Sequence, residues 1–143
     1  MATKYSEVYK VFLNTIDSYD FSAIDDDELE EVLYGYLDAG RVMFINYHKD
    51  VYDTDEEAKQ FNVTLSRFEI AYLAKAMKLE WVMRTKNSEE MTRKAIGDRD
   101  YQAVQGYQYL DKLSKMERQL RTEIQEGLND YEYAQSDLYG DMA

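Results

Sequence analysis

Apolar side chains recur every three or four residues along three long stretches of this chain, and no proline interrupts any of them. That pattern suits long helices and excludes a turn-rich β fold. The middle stretch, residues 65–84, opens with a capping box. Ser66 is placed to accept from the backbone N–H of Glu69, and Glu69 to reach back to the N–H of Ser66, with Leu65 and Ile70 as the hydrophobic staple. Ile70, Leu73, Ala74, Met77 and Trp81 form one apolar face, and Phe68, Tyr72, Ala76, Leu79 and Val82 or Met83 a second. Two apolar faces predict a central helix with neighbours on both sides.

The second stretch begins at Asp25, an N-cap with Glu28 at the third helical position and Ile24 and Leu29 as staple. Its stripe runs Leu29, Val32, Leu33, Tyr36, Leu37, Gly40, Met43, Phe44 and Tyr47, predicting a helix over 25–48 in which Gly40 lets another helix come close. Consecutive acids at 25–28 fan out around such a helix and favour its dipole over a metal ion. The third and longest stripe, with Val104 or Gly106, then Tyr109, Leu110, Leu113, Met116, Leu120, Ile124, Leu128 and Tyr131, predicts a helix over 101–131. A short first helix over 4–18 is expected from Tyr5, Val8, Tyr9, Phe12 and Ile16, followed by a connection at 19–23. Thr54 with Glu57 predicts a helical turn or two at 55–60, with Phe61 anchoring the connection, and Asn87 with Glu90 caps a short helix within an exposed excursion over 86–100. The expected fold is all-α: a small helical bundle over 1–131, with core residues Leu33, Leu37, Ile70, Leu73, Met77, Trp81, Leu113 and Leu120. The period fails after Tyr131, so 132–143 is expected to be an extended C-terminal tail for partner docking.

A chain of 143 residues can bury a core without staples, and the absence of cysteine removes disulfides and thiolate metal sites. The net charge of −12 is uneven: residues 1–60 carry 15 acidic and 5 basic side chains, net −10. Such a chain is poorly suited to gripping nucleic acid. No signal-type or membrane-spanning apolar run is present, so the protein is expected to stay in the cytoplasm where it is made. His48, the only histidine, follows the last stripe residue and reads as solvated. Glu80 is the carboxylate expected to be partly buried, paired with a neighbouring cation. There is no phosphate loop, metal-ligand spacing or nucleophile elbow, so no enzyme activity, metal or cofactor is expected and the chain reads as a protein that works through surfaces.

Four segments together resemble the small helical head–tail connector (adaptor, or neck) proteins of tailed bacteriophages. They are the acidic start at 25–31 with Gly35, Tyr36 and Leu37; the run from Lys59 to Asn62 leading into residues 65–70 and 79–82; Asn87 and Ser88 with residues 97–101; and the long final helix ending in Tyr131, Glu132, Tyr133, Ser136, Asp137 and Leu138. The resemblance spans nearly the whole chain and rests on order and spacing. It implies a structural virion protein at the capsid–tail junction. Roughly twelve copies would form a ring of heterologous contacts below the portal protein, above the next neck or tail-completion protein. DNA would pass through the channel without specific binding, repelled by acidic side chains. The family's portal grip maps onto the stretch from Tyr131 to Leu138, so Tyr131, Tyr133, Ser136, Asp137 and Leu138, with Tyr139 just beyond the match, are the expected docking residues; the extreme end, 139–143, departs from the family pattern. The competing class is a small acidic helical regulator, from a phage or a bacterium, that binds a host protein.

Overall fold

Helix α3, Arg67–Ile96, is the middle layer, with α1 (Tyr5–Thr15) and α2 (Asp26–Gly40) packed against it on one side and α5 (Gly106–Gly140) on the other. The computed structural model describes residues 2–16, 21 and 24–140, except for the side chains of 131–140. Connections at 17–20 and 22–23 lie outside the described residues. Among the described residues the fold is all-α apart from three strands of two residues each: β1 (Thr3–Lys4), β2 (Thr54–Asp55) and β3 (Gln60–Phe61).

The α3 start forms as its sequence dictates. Ser66 Oγ accepts from the Glu69 N–H at 3.2 Å and Glu69 Oε1 accepts from the Ser66 N–H at 2.8 Å. Asp25 caps α2 by accepting from the Glu28 N–H at 2.8 Å. Both apolar faces of α3 are used: Leu73, Ala74, Ala76, Met77, Leu79 and Val82 are buried. Leu33, Leu37, Leu113 and Leu120 are buried with them, whereas Ile70 and Trp81 are partly buried and pack against the core's rim. Trp81 therefore does not fill the centre, which the smaller Ala74, Ala76 and Met77 occupy at the close helix crossings.

Gly40 sits at one of those crossings, backbone against backbone. A Cβ there would lie 2.9 Å from the carbonyl carbon and 3.0 Å from the carbonyl oxygen of Ala76, backbone atoms with nowhere to retreat. Gly40→Ala is expected to destabilise by about 1–2 kcal/mol despite alanine's better helix propensity, because forced separation of two packed helices outweighs the propensity gain. Chemical denaturation reads this directly, and a stabilised variant would refute the close approach.

Five expectations about the elements change. The α-helix begun at Asp26 ends at Gly40 and tightens into a 3-10 turn at Arg41–Phe44, short of the expected 48. Buried Arg41 is the reason. Its guanidinium pairs with Asp38 at 2.6 Å and donates to the Val51 carbonyl, drawing the returning loop against the helix end. Residues 54–61 form a hairpin where helical turns were expected, and strand order is β1-β3-β2, both pairings antiparallel. Asp55 accepts from the N–H groups of Glu57 and Ala58, Lys59 takes a left-handed φ of 54°, and Phe61 becomes fully buried, paired in register with Thr3 and Thr54. Long-range burial here overrides a local capping pattern.

The expected excursion at 86–100 is mostly unbroken α3. Lys86 pairs with Glu117 of α5 at 3.2 Å and Glu89 accepts from Tyr101, so the polar turns have a partner that their own sequence does not reveal. Gly97, at φ 90°, ends α3, and the short helix α4 (Asp98–Ala103) carries Tyr101 inward to 1% exposure. The last long helix thus starts at Gly106, five residues later than expected, where the chain turns through Gln105 at φ 61° to lay Gly106 against the Tyr101 ring.

At the other end α5 remains helical to Gly140, so the backbone of 132–140 differs from the extended tail that the lost apolar period predicts. Ser136 and Asp137 cost a helix only a few tenths of a kcal/mol each, and with no proline the next strong stop is Gly140 itself. The expected docking side chains of Tyr131, Tyr133, Ser136, Asp137, Leu138 and Tyr139 lie outside the described residues, as do residues 141–143 entirely.

Candidate interaction surfaces

The acidic first third of the chain folds into a groove. One wall is α2, where Asp27, Glu30 and Glu31 share a face at helical spacing. The other wall and floor come from Tyr5 and Tyr9 of α1, Glu56 and Lys59 of the hairpin, and Tyr34. The cavity measures about 610 Å³. At its floor three hydroxyls converge on one carboxylate oxygen: Tyr5 at 3.2 Å, Tyr34 at 3.4 Å and Thr54 at 3.0 Å all donate to Glu56 Oε1. Lys59 reaches across to Glu30 at 2.7 Å. Burial pushes the phenols of Tyr9, Tyr5 and Tyr34 above their ordinary range, and nearby Glu30 or Glu56 adds to the rise, so all three remain protonated donors at neutral pH.

In the first turn of α3 stands a second carboxylate that periodicity did not single out. Glu69 is 1% exposed, whereas Glu80, the one expected to be partly buried, is only half-buried on the same helix. Lys49 Nζ donates to Glu69 at 2.8 Å, the Ser66 N–H at 2.8 Å, and the Tyr47 hydroxyl to its other oxygen. Burial raises the Glu69 pKa, but these donors outweigh it and hold the carboxyl below its usual range. With both carboxylate oxygens engaged, Oε1 by Lys49 and the Ser66 N–H and Oε2 by Tyr47, Glu69 is a structural clasp joining the loop after α2 to the start of α3. The capping box makes Glu69 legible as a helix start; its partners 20 and 22 residues upstream are not signalled by any local pattern.

Exposed apolar side chains gather at two places. Val42 and Ile45, three residues apart on the 3-10 turn and so eclipsed, are 54% and 68% exposed, near Tyr52 beneath the Arg41 guanidinium. At the far end of α3, Met91 (71%), Ile96, Val104 (68%) and Tyr107 surround the turn through α4. The two patches stand about 30 Å apart along α3 at 1.5 Å per residue. His48 is exposed, its ring 4.4 Å from that of Tyr47.

Among the described residues no three His, Cys, Asp or Glu side chains are grouped to hold a metal ion, and no helix is long and apolar enough to cross a membrane. Comparisons with protein-family models, with characterised proteins and with solved structures find no match.

Proposed function

We propose that this protein is a head–tail connector of a tailed bacteriophage, a ring-forming subunit that docks below the portal and extends the DNA channel. The observation that carries this reading is the pair of exposed apolar patches, Val42 and Ile45 at one end of α3 and Met91 and Val104 at the other. A cyclic ring needs two different surfaces on each subunit, and separated patches of this kind supply them. The length of α5 supports the same reading. Gly127 faces Tyr72 across the antiparallel pair, which carries the start of α3 opposite about residue 132, so the final turns of α5 run past the bundle. That overrun carries Tyr133, Ser136, Asp137 and Leu138, which with Tyr131 just before it match the family's portal grip, and Tyr139, which follows the match. The net charge of −12 suits a channel through which DNA slides without sticking.

Mass photometry with portal protein tests the reading. A portal-bound ring of roughly twelve copies is expected. Deleting residues 132–143 is expected to abolish portal capture while leaving the melting temperature nearly unchanged. A chain that stays monomeric beside portal would overturn the proposal and favour a regulator of a host protein.

A further inference from the structure

We propose that the acidic tyrosine-walled groove receives the basic outer face of α5 from a second copy of this chain, with Lys112, Lys115 and Arg118 of one copy entering between Asp27, Glu31 and Glu56 of the next. This deepens the ring reading and rests on it, by naming a charged contact between copies in addition to the two apolar patches.

The groove is built for a cation. All three hydroxyls at its floor end on Glu56 Oε1, which fixes the carboxylate in place and leaves Oε2 with no partner among the described residues. Asp27 and Glu31 are exposed on its wall and form no ion pair among the described residues. Lys59 already shows what the groove holds: an ammonium 2.7 Å from Glu30, presented from a left-handed backbone position. One ammonium against Asp27, Glu30, Glu31 and Glu56 leaves the groove three charges short of neutrality.

The complementary surface is on the same chain. The net acidity belongs to residues 1–60, whereas residues 75–86 and 111–121, the facing middles of α3 and α5, carry eight basic and three acidic side chains, net +5. On α5, Lys112, Lys115 and Arg118 are spaced by three and are all exposed. Only Lys115 of the three has an in-chain partner among the described residues, a solvent-exposed pair with Asp111 at 3.1 Å of the kind that contributes little. Groove and basic face lie on opposite sides of α3, so one contact leaves both surfaces free for the next copy, as a heterologous ring requires. The overall repulsion between acidic copies is screened beyond about 10 Å at 0.1 M salt, while pairs in direct contact are screened much less.

Sedimentation velocity on the full chain at about 0.1 M salt tests the contact. Wild type is expected to self-associate, and Asp27→Lys with Glu31→Lys, or Lys112→Glu with Lys115→Glu, to weaken association at least tenfold. All four positions are exposed, and a melting curve for each variant confirms that it is folded. An equimolar mixture of the two reversed variants is expected to recover association, because each supplies the charge the other now needs. A monomeric wild type, variants that associate like wild type, or a mixture that stays monomeric would each overturn the contact. The connector reading fails separately. Reversed variants that lose self-association yet are captured by portal, without rescue on mixing, overturn this contact and leave that reading standing. Rescue by mixing in a protein that ignores portal upholds the contact and removes that reading.

Discussion

Lys49→Met is expected to cost about 3 kcal/mol at neutral pH, lowering the melting temperature by about 10 °C. The substitution removes the one full positive charge facing Glu69, whose side chain is 1% exposed while that of Lys49 is 30% exposed. Tyr47 and the Ser66 N–H still donate, which keeps the cost at the lower end of the range for a broken buried pair. The pH dependence identifies the cause. In the wild type the folded-state pKa of Glu69 is depressed, so its contribution is complete above the ordinary carboxylate range and is lost as pH falls through the lower folded value. Without Lys49, burial dominates and the pKa rises, so the variant gains relative stability by protonating Glu69 as pH falls. The gap between the two proteins should therefore close in acid. Lys49→Met with Glu69→Gln should recover part of the loss at neutral pH, since no buried charge is then stranded. Denaturant titrations across pH decide the matter; a cost under 1 kcal/mol, unchanged with pH, would show that the pair carries no weight.

Phe61→Ala is expected to destabilise by about 3–5 kcal/mol, the range for a large side chain removed from a close-packed interior. Phe61 is fully buried and meets the edge of Tyr5 with ring centroids 4.9 Å apart. Its backbone also sits in the central strand, between β1 and β2. The cavity would thus open where the N-terminus, the hairpin and α1 are joined, and the Leu65 N–H bond to the Thr3 hydroxyl lies close by. Loss of near-ultraviolet circular dichroism around the tyrosines should accompany the fall in stability. A cost near 1 kcal/mol would mean that the small sheet decorates the bundle without anchoring it.

The helical layers, the start of α3 and the close approach at Gly40 were legible in the sequence because each is a local device. A capping box closes within four residues, and an amphipathic stripe repeats on one helix regardless of what covers it. Which stripe residues reach the centre was less legible, since Trp81 and Leu73 obey the same period yet only Leu73 is fully buried. The failures share one cause. Arg41 ends α2 by bonding to Val51, Glu69 is neutralised by Lys49, and Glu56 is held by Tyr5 from 51 residues away. Lys86, in the stretch that reads as an excursion, pairs with Glu117 across the antiparallel hairpin. By itself the sequence determined the period and capping of each helix, because those depend on neighbours within a turn or two. Only the tertiary structure decided the hairpin, the groove and the clasp, because each depends on burying polar groups against partners that the chain brings together only after it has folded.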